Sequence, residues 1–366
     1  MRLIGPALTV SAPLLAANAP YVNPWAHVRG VNYVPSYSRN PVQTWIDWDL
    51  VTIERELDLA QSLYLNAVRV FLHLFAWAAD RPTFLSRYES FVVACAKRSI
   101  RPMIVLFDDD FFDVPGIATE ADAKAWVASQ AYRTSDWMAN PGMPWLAADA
   151  AESWPLVRAF LADVVRDDPR LLAYDIMNEP GRNASFEGGL PTFIEFALNV
   201  TQRRSGGNVP TTVDDYTAVP ATLPHLEGAL SYHNYYHYSQ WQDCTANQSD
   251  VYSVQAAAAT TYFAAAAALN KPVLVSEFGQ SDCYCPAAMA LQDAGVGWIA
   301  WELILSHDQF GDFQGLLYAN GTARSTAEVA CLKALARRRP RAIGAAPSPR
   351  NGEPKQLKQL VEIDSD

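Results

Sequence analysis

Eight short β-rich runs recur along this chain, and a longer segment of helical character separates most of them. That alternation constrains the fold more than any single motif does. The runs cover residues 30–34, 67–71, 102–107, 171–177, 210–213, 229–233, 272–276 and 297–301. Amphipathic stretches at 49–63, 87–98, 154–166, 191–203, 251–269 and 326–338 lie between or after them. Successive parallel strands need a crossover long enough to hold a helix, so strand–helix repetition predicts a parallel sheet. Eight such units with right-handed crossovers close into a (β/α)8 barrel. The fifth and sixth units are the faintest, because 216–226 is a poor helix.

The chain has 366 residues, half of them apolar, which is enough for one large core. A single barrel domain over 20–338 accounts for the pattern. Residues 1–19 have the layout of a secretion signal: Arg2, an apolar stretch, then Ala17-Asn18-Ala19 as a small-x-small cleavage site, although Pro6 and Pro13 interrupt it. A secreted or extracellular location follows from that reading. Residues 339–366 open on a basic, Pro-rich run and read as a solvated, flexible tail. Sequons stand at Asn183, Asn199, Asn247 and Asn320. The net charge of −11 argues against a nucleic-acid partner, and no 18-residue apolar stretch predicts a membrane span.

Of the five cysteines, Cys244 follows one strand and Cys283 and Cys285 follow the next, so a bridge between those loops fits an exported protein. Cys95 and Cys331 fall in helical patterns where buried thiols are common. Cys283-Tyr284-Cys285 lacks a second metal-spaced pair, which disfavours zinc.

In a barrel of this kind, residues at the C-terminal strand ends share one mouth. Here they are Arg69, Asp108, Asn178 with Glu179, His233 with Tyr235, Glu277 and Trp301, from strands two, three, four, six, seven and eight. Two glutamates one step past buried-looking strands are what a double-displacement glycosidase needs: one carboxyl protonates the leaving oxygen and the other attacks the anomeric carbon. The segment 108–153 is the longest insertion and carries Trp126, Trp137 and Trp145.

Five motifs resemble the clan A retaining glycoside hydrolases, and the cellulase-like family 5 group in particular. They are Arg69 within Asn66-Ala67-Val68-Arg69-Val70-Phe71, Asn178-Glu179-Pro180, His233-x-Tyr235, Glu277-Phe278-Gly279 and Trp301. The resemblance runs from about residue 29 to residue 336. It implies an O-glycosyl hydrolase acting on a β-linked oligo- or polysaccharide of mannan, β-glucan or xylan type. No cofactor is implied, and no metal. Glu179 would be the acid/base and Glu277 the nucleophile, kept ionised by Arg69 and Tyr235. Asn178 would bond the sugar 2-hydroxyl, His233 would hold Glu179 or the substrate, and Trp301 would floor the cleavage point. Retention then requires the carboxyls about 5–5.5 Å apart.

Where the family places a histidine near the end of strand three, this chain has Phe107-Asp108-Asp109-Asp110, so Asp108 either replaces that contact or binds a substrate hydroxyl. Trp77, Trp137, Trp145 and Trp241 are candidate sugar platforms. His73 and His237 read as structural or rim residues. Rival readings stay open: a transglycosylase on the same scaffold, a non-catalytic glycan-binding barrel, and a metal-dependent hydrolase built on Asp108, Asp109 and Asp110 with His233 and His237.

Overall fold

The computed structural model describes residues 21–110, 117–146, 154–181, 190–215, 228–235, 248–279, 283–305 and 314–338. Its strands are β1 (Arg29–Asn32), β2 (Ala67–Phe71), β3 (Arg101–Val105), β4 (Ala173–Asn178), β5 (Thr211–Asp215), β6 (Leu230–His233), β7 (Val273–Glu277) and β8 (Gly297–Ala300). All pair in parallel, each with the next and β8 back to β1, which closes the barrel. The predicted (β/α)8 architecture is therefore the observed one. Strand limits differ from expectation by one or two residues, and the shift at β5 matters, because it brings Asp214 into the strand.

The helices are α1 (Pro41–Ile46), α2 (Leu50–Ser62), α3 (Leu74–Ala79), α4 (Arg81–Lys97), α5 (Glu120–Ala128), α6 (Met143–Leu146), α7 (Trp154–Val164), α8 (Leu190–Arg204), α9 (Gln248–Leu269), α10 (Tyr284–Asp293) and α11 (Thr326–Arg337). Several begin where a side chain takes up the free amides of the first turn: Asn40 for α1, Asp49 for α2, Asp80 for α4 and Ser325 for α11. The sequence pattern gave no sign of α10. Its Tyr-Cys-Pro-Ala-Ala run is buried through most of its length, so it shows no polar face. None of the described helices is long and apolar enough to cross a membrane.

Alternation along each strand sorts the core into shells. Val31, Val68, Val70 and Ile104 face outward into the main apolar cluster beneath the helices. The inward residues form layers stacked along the barrel axis. At the bottom, Ala67, Met103, Ala173, Leu274 and Ile299 are closed off by Trp25 and Val28. Gly30 completes this layer, since a Cβ there would meet the Ala67 carbonyl at 2.9 Å. The middle layer is polar: Asn32, Arg69, Asp175, Thr212, Asp214, Ser231 and His233 are all buried. Above it lie Val34, Phe71, Val105, Trp137 and Trp301.

A disulfide joins Cys285 on α10 to Cys331 on α11, and Cys95 is a buried free thiol. The reading of Cys331 as a buried thiol is thus corrected, because the two helices pack side by side and bring it against Cys285. Cys283 is also disulfide-bonded, whereas Cys244 lies outside the described residues. So do the signal-like segment 1–19, the tail 339–366, Asn183, Asn247, Trp241 and His237. Asn199 and Asn320 are exposed.

Candidate active site

Arg69 is the hub of the polar layer. In register, Asn32 on β1 faces Arg69 on β2, Asn178 on β4 faces Asp214 on β5, and His233 on β6 faces Glu277 on β7. Inward side chains at matched heights on a closed barrel must meet, and these do. The Arg69 Nη1 donates to Asn32 Oδ1 at 2.9 Å and to Glu277 Oε1 at 2.6 Å. Its Nη2 donates to Asn178 Oδ1 at 2.6 Å and lies 2.7 Å from both Asp175 Oδ2 and Asp214 Oδ2; Nε also reaches Asp175 Oδ2, at 3.1 Å. A guanidinium has five N–H donors in a fixed fork, and here the fork ties five strands of the barrel together, β1, β2, β4, β5 and β7. Burial alone would lower the pKa of Arg69, but Asp214, Asp175 and Glu277 raise it above the usual arginine range.

Glu277 ends β7 with both carboxylate oxygens engaged. Oε1 takes Arg69, and Oε2 accepts from the Tyr235 hydroxyl at 2.7 Å. Burial pushes its pKa up; His233 and Arg69 oppose that, and Glu179 adds to it, leaving a net rise. Glu179 follows β4 in the left-handed backbone region, at φ 43°. For a residue with a side chain this conformation costs roughly 1–3 kcal/mol, and here it swings the carboxyl over the barrel. Glu179 Oε1 sits 2.6 Å from His233 Nδ1, and the same nitrogen is 3.4 Å from Glu277 Oε2. One ligating atom each from Glu179, His233 and Glu277 lies within 4.8 Å of the others.

Asp108 is committed to the protein. Oδ2 accepts from Trp137 Nε1 at 2.7 Å, and Oδ1 accepts from Asn178 Nδ2 at 2.8 Å and from the Asp110 amide at 2.9 Å. Burial raises its pKa to about 7 against those three donors. Asp108 thus fixes Asn178 and Trp137 in place. Asp109 is similarly engaged, accepting from the Gly181 amide at 2.7 Å.

Trp301 caps the polar layer, its ring 5.7 Å from Trp137 and 6.0 Å from Phe71, both edge-on. The Tyr284 hydroxyl donates to the Trp301 carbonyl at 2.7 Å. Gly279, at φ 120°, makes room for that tyrosine, since a Cβ there would stand 2.1 Å from its ring.

All eight residues singled out from sequence therefore converge on one mouth. The tryptophans divide. Trp137 joins the site, whereas Trp77 and Trp145 are core residues with no exposed face: Trp77 Nε1 donates to Asp163 and carries Arg81 on its ring, and Trp145 Nε1 donates to the Ile117 carbonyl. They are not sugar platforms. His73 is structural, buried and capping α3 by accepting from the Phe75 amide. Asn32, Asp175 and Asp214 were missed. The available signal was a charged residue inside an apolar strand run, at Asp175, and a pair of acids just past a run, at Asp214 and Asp215.

No protein-family model matches the sequence, and no functionally curated protein does. Solved structures of like fold do match. The exo-β-1,4-mannosidase Op5Man5 from Opitutaceae bacterium strain TAV5 is 18% identical with a TM-score of 0.58, over 86% of this chain and 62% of that one. This chain thus spans under two thirds of that enzyme's length. A GH5_18 protein from Streptomyces cattleya, solved with GlcNAc, is 18% identical with a TM-score of 0.60, over 91% and 83%. The endo-β-1,4-mannanase from Thermotoga petrophila is 13% identical with a TM-score of 0.57, over 85% and 76%. The barrel is thus of the kind found in family 5 glycoside hydrolases, the group the strand-end motifs resemble.

Proposed function

We propose that this chain is a retaining glycoside hydrolase acting on a β-linked glycan. The carrying observation is the unequal pairing of two buried glutamates at the ends of β4 and β7. Glu277 has a cation and a phenol on its two oxygens, as a nucleophile must to stay ionised. Glu179 faces an imidazole, as suits a group that gives and takes a proton. One oxygen of each carboxyl lies within 4.8 Å of the other, which supports the short separation of retaining enzymes over the wider gap of inverting ones.

In the first step, a Glu277 oxygen attacks the anomeric carbon as the glycosidic C–O bond breaks and Glu179 protonates the departing oxygen. In the second, Glu179 takes a proton from water, the water oxygen bonds to the anomeric carbon, and Glu277 leaves as carboxylate. Asn178, clamped by Arg69 and Asp108, has a second Nδ2–H for the sugar 2-hydroxyl. Trp301 offers an apolar face below the sugar. A sugar hydroxyl in place of water would make the second step a transglycosylation.

Among mannan, β-glucan and xylan, β-mannosides come first, because the neighbours named above as mannosidase and mannanase act on them. We place the protein in an exported compartment, since a disulfide such as Cys285–Cys331 persists under oxidising conditions.

The test is release of reducing sugar from β-mannan, cello-oligosaccharides and xylan, with Glu277→Ala run beside the wild type. Release by the wild type alone supports the mechanism and names the glycan. Equal release by both removes Glu277 from the chemistry, and no release by either overturns the hydrolase reading for these glycans.

A further inference from the structure

Beneath the two glutamates lie two aspartates for which the reaction has no evident use. Asp175 on β4 and Asp214 on β5 are both completely buried and share one nitrogen of Arg69. That guanidinium also pairs with Glu277, so one cation faces three carboxyls. Two buried oxygens, Asp175 Oδ1 and Asp214 Oδ2, have no conventional hydrogen-bond donor. A proton on Asp175, directed at Asp214, satisfies both, and the two carboxyls already meet at one nitrogen of Arg69. Burial and Asp214 push Asp175 well above the usual carboxylate range. Asp214 resists the same burial because Arg69 and His233 hold it below that range. Asp214 is therefore the ionised member, further anchored by the Ser231 hydroxyl.

Both ring nitrogens of His233 face carboxyls. Nε2 lies 3.4 Å from Asp214 Oδ2, while Nδ1 lies 2.6 Å from Glu179 Oε1 and 3.4 Å from Glu277 Oε2. A neutral imidazole has one N–H and could donate to only one side. We propose that Asp214 is a positioning residue that acts through His233: its carboxylate holds the ring doubly protonated and aimed at Glu179. This rests on Glu179 being the acid/base. When Glu179 gives up its proton, the new carboxylate meets an N–H already in place, with no reorganisation. Burial would lower the His233 pKa, but Glu277, Asp214 and Glu179 together raise it to about 10. The other charged or titratable groups around this cluster are Arg69 from β2, Asp175 from β4 and Tyr235 beyond β6.

The ring charge is read directly by 15N NMR of the histidine-labelled full chain. The chain has six histidines, and His233 is assigned from the signal lost in His233→Gln. We expect His233 to show two ring N–H signals at pH 7.5 and not to titrate between pH 5 and about 8.5. In Asp214→Asn the ring should discharge within that window. In Asp175→Asn it should stay charged, because the amide copies a protonated carboxyl. A neutral His233 in the wild type at pH 7.5 overturns the proposal, as does discharge in Asp175→Asn but not in Asp214→Asn. If Asp214→Asn does not fold, a neutral His233 in the wild type still overturns the proposal.

Action on Glu179 is read by leaving group, using 4-nitrophenyl and 2,4-dinitrophenyl β-D-mannopyranosides. Asp214→Asn should lose roughly tenfold or more beyond its dinitrophenyl loss on the 4-nitrophenyl substrate, which needs more acid assistance. Equal loss on both overturns a role through Glu179. A wild type inactive on both overturns the mannoside reading instead, and the spectrum then judges Asp214 and His233.

Discussion

The two glutamates at the mouth sit on unlike supports. Glu277 ends β7, just past a shift in its register against β6, and is gripped at both oxygens by groups from two other elements. Glu179 stands just past β4 on a left-handed backbone, against one imidazole that is itself held from below. In the proposed mechanism identical side chains take opposite parts: a carboxylate on the β7 side, an exchangeable proton on the β4 side. The difference arises entirely from neighbours, because both carboxyls are buried.

The hardest test of that contrast is to delete each carboxyl in turn. Glu277→Ala should lose roughly 10^4-fold or more in kcat/KM with every aryl β-glycoside, since no covalent intermediate can form. Glu179→Ala should lose about 10^2–10^4-fold on poor leaving groups and far less on 2,4-dinitrophenyl glycosides. Added azide should speed the second variant by intercepting the intermediate. Matching losses on all substrates would erase the distinction between the two sides.

Most of this contrast was legible in the sequence, for a physical reason. Barrel strands deliver their last residue to the mouth, so Arg69, Asn178, Glu179, His233, Glu277 and Trp301 announce themselves by position. Asp175 and Asp214 did not, because their meaning depends on meeting Arg69 across the barrel interior, and the fifth β-rich run stops one residue short of Asp214. The tryptophans failed for a related reason. Trp77, Trp137 and Trp145 are alike as loop or helix aromatics, and only packing shows that Trp137 alone reaches Trp301. The tie between Cys285 and Cys331 was equally hidden, since it requires α10, whose burial leaves no amphipathic trace.

A gentler change sharpens the β7 side. Tyr235→Phe removes the hydroxyl donor to Glu277 Oε2 and keeps the ring. Burial already raises the Glu277 pKa, and Tyr235 opposes that rise. Activity requires the ionised form, so it is lost as pH falls through the folded-state pKa. The wild-type acid limb should therefore lie above the ordinary glutamate range, and the variant's limb should lie higher still. Loss of one hydrogen bond to a charge predicts about a 10–100-fold fall in kcat/KM near that limb. A limb unmoved by the substitution would mean that Arg69 alone sets the charge of Glu277.

The smallest effect concerns the β4 side and is a matter of stability. Asp108 holds Asn178 and Trp137 beside Glu179, and burial lifts its pKa from the usual carboxylate range to about 7. A carboxyl with a raised folded-state pKa stabilises the fold fully below its unfolded value. That contribution is lost as pH rises through the folded value, so the window runs from about pH 4 to about pH 7. Asp108→Asn cannot titrate, but it turns an amide donor toward one of three N–H groups, a penalty of roughly 1–3 kcal/mol. The variant should therefore unfold at a lower temperature than the wild type at pH 4, and the gap should narrow by pH 7.5. Parallel midpoints across that range would show Asp108 ionised throughout. The β4 glutamate would then stand beside a fixed negative charge, and the contrast between the two sides would rest on His233 alone.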